Sequence, residues 1–162
     1  MKTKHIVYSA LIAGMYVALT YVSASLGLAN QTIQIRLGEA LTVLPYFTPY
    51  AIWGLFAGCL ISNILTGCVI TDVIFGSVAT LIGAVMTFRM SKIDIKGKKW
   101  LAPIGPILSN TIIVPFILTY AYGLKDAMWL MFITVGIGEI LSCGVLGMIL
   151  LTALDKHKQR LF

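Results

Sequence analysis

The stretch Ile33-Gln34-Ile35-Arg36-Leu37-Gly38-Glu39-Ala40-Leu41-Thr42-Val43-Leu44-Pro45-Tyr46-Phe47-Thr48-Pro49 decides how the chain is read. An arginine and a glutamate stand three residues apart, and behind them the chain runs without charge as far as Leu65. On a helix that spacing places Arg36 and Glu39 as neighbours on one face. Ionisable groups at the edge of a membrane-like segment are costly to bury, and a ligand or ion pathway is their default explanation. Pro45 and Pro49 then prevent one straight helix from continuing to Leu65. The stretch predicts the lip of a binding site followed by a short, broken hairpin.

The surrounding chain says in what solvent that hairpin sits. Of 162 residues, 59% are hydrophobic and only 11% charged, with a mean hydropathy of +0.94. A soluble domain of this length needs far more charge to cover its surface. Long apolar runs recur from end to end, and the short alternating segments of a β-barrel are absent. The expected class is all-α: a polytopic membrane protein in which residues 1–162 form one transmembrane domain. Met1 to Ala29 carries lysines, an apolar core and small residues as a signal peptide would, but its apolar run is long for that role. It is read as the first span. Cys59, Cys68 and Cys143 have no CxxC spacing and sit in apolar surroundings, so free buried thiols are expected, without a disulfide framework or a metal site.

Charge sets the count of crossings. After a first segment from Ile6 to Leu26, apolar blocks follow at Ala40–Leu65, Val69–Phe88, Trp100–Tyr122 and Ala127–Leu154. Ten of the twelve basic residues sit at Lys2 and Lys4, between Arg89 and Lys99, and between Lys156 and Arg160. The positive-inside rule assigns all three clusters to the cytoplasm. They share that side only if Ala40–Leu65 crosses twice, which predicts six transmembrane helices, the second short and proline-broken, with both termini cytoplasmic in a cell membrane. Glu39–Phe47 wound as an α-helix would cover only about 14 Å of a ~30 Å hydrocarbon layer, so the second span must start near Ile33 or stop short among its neighbours. The net charge of +6 reports these loops. With no basic stripe interleaved with aromatics, no nucleic-acid partner is expected.

On this map, polar side chains converge. Arg36 and Glu39 lie at the outer end of span two, Asn63 near the outer end of span three and Asp72 at the outer start of span four. Asn110 and Glu139 each lie about twelve residues, roughly 18 Å, below the outer ends of their spans, near mid-membrane. The set has the shape of a pocket open to the outside. Plainer roles exist for most of it: Asn63 and Asp72 suit helix caps around Gly67, Asn110 could occupy the carbonyl freed by Pro106, and Arg36 could neutralise Glu39. Glu139 has no basic residue in its own span, which points to a cationic or hydrogen-bond-donating ligand. Two ridges of small residues, Ala10-Gly14-Ala18 and Gly54-Gly58-Ser62, allow close helix approach, either within the bundle or against a partner subunit. No Walker A loop, HExxH or nucleophile elbow is present, and nothing calls for a cofactor. An enzyme is not expected, and active transport would draw its energy from a partner or an ion gradient.

The chain resembles the queuosine-precursor transporter (QueT-like) family, the substrate-binding S components of energy-coupling-factor (ECF) transporters. The likeness rests on Ile33 to Thr42 with Pro45 and Pro49, on Asp72-Val73-Ile74-Phe75-Gly76-Ser77, on Trp100-Leu101-Ala102-Pro103 leading to Asn110, and on Gly138-Glu139. It implies a six-helix S component with its ligand near the outer face, a transmembrane coupling protein and two ATPase subunits as partners, and Ala10, Gly14 and Ala18 as the docking face. The implied ligand is a deazaguanine, such as the aminomethyl precursor or queuine. Glu39 and Glu139 would accept its donor edge and its amine, Asn110 would read the ring, and Phe75, Tyr120 or Trp129 would stack on it. Arg36, Asn63 and Asp72 complete the expected site. The alternatives are an S component for another vitamin-like molecule and a proton-coupled secondary transporter.

Overall fold

A computed structural model describes residues 2–28, 34–94, 98–123 and 127–157, and among them there is no strand. Helix α1 (Lys2–Ser25) is followed by a 3-10 segment, Leu37–Tyr46, and then by α2 (Tyr50–Leu65), α3 (Ile70–Met90), α4 (Ile104–Tyr120) and the long α5 (Met128–Asp155). Four helical stretches, Thr3–Ser25, Ile70–Met90, Lys98–Tyr120 and Met128–Asp155, are long and apolar enough to cross a membrane; α2 is apolar but shorter. This is an all-α membrane fold, as composition predicts.

Neighbours in sequence pack as neighbours in space: α1 on α2, α2 on α3, α3 on α4 and α4 on α5. The 3-10 segment is threaded among them and touches α1, α2, α3 and the later part of α5. Gly38 to Pro45 are all buried within it. The apolar core of Ile12, Tyr16, Leu41, Leu44, Ala51, Leu55, Cys59 and Ala84 joins that segment to α1, α2 and α3. Large apolar side chains such as Ile6, Leu11, Ile74, Ile112, Ile133 and Ile149 point outward, the arrangement of a bundle whose solvent is lipid.

The winding of Leu37–Tyr46 departs from expectation and solves a length problem. Ten residues at about 2.0 Å each give about 20 Å, against roughly 15 Å for an α-helix. Arg36, at its start, is extended (φ −104°, ψ 104°), so the stretch entering the segment adds reach. Arg36 and Glu39 therefore do not form a helical i, i+3 pair. The Arg36 amide donates instead to Ser142 Oγ at 3.2 Å and the Leu37 amide to Ser23 Oγ at 2.8 Å, which holds the backbone out of a helix. Runs of 3-10 winding beyond three or four residues are uncommon and persist where the surroundings impose them.

The two small-residue ridges have different fates. Gly54 and Gly58 face α1 so closely that a Cβ at Gly58 would stand 2.8 Å from the Cβ of Tyr16. That ridge is internal packing. Ala10, Gly14 and Ala18 lie on the opposite, exposed side of α1, and nothing lies within 4 Å of a Cβ added at Gly14.

Candidate functional site

Glu39 is buried inside the bundle, 1% exposed, although it belongs to the segment that reads as a lip. Its placement follows from the turn of the extended Arg36 into the 3-10 winding. The Tyr16 hydroxyl of α1 donates to Glu39 Oε1, and the Thr42 hydroxyl donates to the Glu39 carbonyl at 2.6 Å. Oε2 of the same carboxyl is buried without a hydrogen-bond partner. Asn110 from α4 and Thr80 from α3 stand beside it, and Asn110 also faces Glu139.

Glu139, 8% exposed, is delivered to the same place by α5. Just after it the helix widens into a π-helical turn, Ile140–Leu146, that turns the consecutive residues Ser142 and Cys143 inward. The Cys143 thiol reaches Glu139 Oε2 at 3.2 Å and the Glu39 carbonyl at 3.4 Å. Ligand atoms of Glu39, Glu139 and Cys143 lie within 4.8 Å of one another. Gly138 allows this approach: a Cβ there would collide with the Gln34 carbonyl. π-turns of this kind are frequent where a helix must present side chains to a site.

Two carboxyl groups this close in a buried setting demand hydrogen-bond donors or positive charge nearby. Arg36 supplies the charge without contact. Its Nε is buried and unpartnered, and among the described residues no guanidinium nitrogen comes within 4 Å of either carboxylate. Its field acts on Asp72 as well as on Glu39. A buried donor and a buried acceptor left open on residues that line one cleft each cost about 1–3 kcal/mol of desolvation until something fills them.

The space between these groups is a narrow cleft lined by Gln34, Arg36, Glu39, Thr80, Asn110 and Glu139, among others, with about 20 Å³ free, enough for one water-sized group. A larger cavity of about 360 Å³ adjoins it across Gln34, Arg36 and Val114 and reaches Asp72 and Tyr122.

Four of the residues singled out from sequence, Arg36, Glu39, Asn110 and Glu139, thus line one cleft. Asp72 lines the larger cavity and accepts a hydrogen bond from the Tyr122 hydroxyl at 2.9 Å. Asn63 lines neither; its amide nitrogen lies 3.4 Å from the Asp72 carbonyl, so it ties α2 to α3 rather than capping a helix. The Ala102 carbonyl, four residues before Pro106, accepts the Thr87 hydroxyl at 2.7 Å, while the Asn110 side chain faces the two acids. Phe75 turns away from the cleft: it is 55% exposed and lines an apolar groove with Ile113, Phe116 and Tyr120. Tyr120 and Trp129 are also outward and exposed.

Tyr16, Cys143, Thr80 and Gln34 were not anticipated. Tyr16 had a signal: Tyr16, Thr20 and Ser23 recur at helical spacing along span one, opposite the Ala10-Gly14-Ala18 stripe, and all three are buried.

Among curated proteins and among solved structures, none matches the chain. The sequence model of the QueT transporter family matches residues 6–156, nearly the whole length. The buried acidic cleft therefore lies in a membrane protein of a transporter family rather than an enzyme family, and the chain belongs to the QueT transporter family.

Proposed function

We propose that this chain is the substrate-binding membrane subunit of an ECF-type transporter that imports deazaguanine precursors of queuosine. The observation that carries the reading is the pair of open groups in the cleft, Glu39 Oε2 and Arg36 Nε, beside Glu139 and Asn110. A deazaguanine supplies what they lack. Its ring N–H and amino group donate along one edge, matching a carboxylate, and its carbonyl accepts from a guanidinium or an amide. The aminomethyl form adds a cation for the second acid. In this reading both termini lie in the cytoplasm of a cell and the larger cavity opens outward.

The ATPase subunits and coupling protein would meet the chain from the side. Ala10, Gly14 and Ala18 form a flat exposed face on α1, and nothing else in the bundle covers it among the described residues. Small residues let a partner helix come close in lipid, where apolar surface alone gives little drive to associate.

Purified protein should bind the aminomethyl deazaguanine in calorimetry. Glu139→Gln should weaken that binding by about 10- to 100-fold, the loss of one charge-assisted hydrogen bond. Unchanged affinity in Glu139→Gln removes this residue from the site, and no binding by the parent protein removes the deazaguanine.

A further inference from the structure

We infer that a cavity between the start of α1 and the start of α2 holds the phosphate headgroup of an anionic membrane lipid. It shares no wall residue with the acidic cleft or with the cavity beside that cleft. The inference is independent of the cargo and takes from the proposed function only the placement of the N-terminus at the inner membrane surface. About 270 Å³ is free in it, lined by Lys4, His5 and Tyr8 from α1 and by Thr48, Pro49 and Tyr50 from the turn into α2. The His5 ring stacks on the Tyr50 ring with centroids 3.8 Å apart, and the Ser9 hydroxyl donates to the Tyr50 carbonyl at 2.8 Å. These contacts fix the two helices against each other and so set the width of the cavity.

The walls call for an anion. Among the described residues no acid lines the cavity, and no carboxylate comes within 4 Å of Lys4 Nζ, which lies 5.9 Å from the centre of the Tyr8 ring. Thr48 is 6% exposed, and its hydroxyl accepts the Tyr50 amide at 3.4 Å. The proton of that hydroxyl has no acceptor among the described residues. A buried donor without an acceptor, an ammonium without a counter-ion and the positive end of the α2 dipole meet here. Phosphate oxygens satisfy all three at once. The surrounding surface names the source of the phosphate. Leu11 and Met15 continue the Lys4–Tyr8 face along α1 at helical spacing, and Trp53 follows Tyr50 by one turn on α2; all three are exposed. That apolar continuation suits acyl chains, and tryptophan collects at the level of lipid headgroups. Basic pockets between helices on the cytoplasmic side take anionic headgroups by the same chemistry.

To test this, the full chain in detergent is titrated with phosphatidylglycerol, with phosphatidylcholine of the same acyl chains and with inorganic phosphate, and bound molecules are counted by native mass spectrometry. Phosphatidylglycerol should bind about fivefold tighter than phosphatidylcholine, and Lys4→Gln should abolish that preference. Thr48→Val should weaken both lipids about fivefold, because both carry the phosphodiester that its hydroxyl would reach. Lys156→Gln, which removes a basic residue outside the cavity, should change neither lipid. Millimolar inorganic phosphate should leave the lipid in place; displacement by it overturns the lipid as occupant. A second measurement uses unaltered protein: phosphatidylglycerol with a photoreactive headgroup should crosslink within residues 4–8 and 47–50. Crosslinks confined to the neighbourhood of Arg89 and Lys92, or equal losses in Lys4→Gln and Lys156→Gln, overturn the site. Failure of a deazaguanine to bind would overturn the proposed cargo and leave these lipid results unchanged.

Discussion

Tyr16 shows how much one side chain can settle in an oily interior. It is 1% exposed and donates to Glu39 Oε1, so the carboxyl is held at one oxygen and open at the other. Tyr16→Phe keeps the ring in the core and strands a second buried acceptor, which costs about 1–3 kcal/mol. The expected result is a lower melting temperature in detergent, with ligand restoring part of the loss because binding stabilises only the folded form. A melting temperature that does not move would mean the hydroxyl contributes nothing to holding Glu39. At this scale the sequence was partly readable. Arg36, Glu39, Asn110 and Glu139 stand out because polar groups in apolar runs need a reason. Phe75 does not reveal its direction, since an aromatic ring suits lipid and core equally well, and Cys143 looks like any small buried thiol.

At the scale of elements, the two glycine ridges make opposite forecasts from similar sequence. Gly58→Leu drives a branched side chain into α1, where the Ala13 carbonyl is 3.0 Å from the added Cβ, and should destabilise by at least about 1–3 kcal/mol. Gly14→Leu meets open space and should leave the melting temperature within error. If Ala10, Gly14 and Ala18 dock a coupling protein, Gly14→Leu should still bind ligand while failing to co-purify with the ATPase subunits. Retained co-purification would move the docking face elsewhere. Apolar length was enough to place α1, α3, α4 and α5, because each run matches the thickness of a bilayer. It could not reveal the winding of Leu37–Tyr46: Gly38 to Pro45 are buried on every side, so no alternation of exposed and buried positions carries a periodic signal there.

For the whole molecule, the topology drawn from charge can be read by labelling. In a background lacking the native cysteines, single cysteines replacing Lys92 and Gly123 should differ: position 123 reacts with an impermeant reagent in intact cells, and position 92 only after permeabilisation. The reverse pattern would invert the map and turn the larger cavity towards the cytoplasm. Near the end that carries Lys92, Lys99 Nζ lies 2.5 Å from Asp155 and fastens the entry to α4 to the end of α5. The lysine end of this pair is open to water, which screens the attraction, so Lys99→Ala should scarcely alter stability.

The unusual pitch of Leu37–Tyr46 makes the gap between the two acids a matter of thread. Rewound as an α-helix, the same ten residues would contract by about 5 Å, close to a full helical pitch. A shortening of that size would drag Glu39 off the floor it shares with Glu139, and whatever bridged the pair would lose its grip at one end.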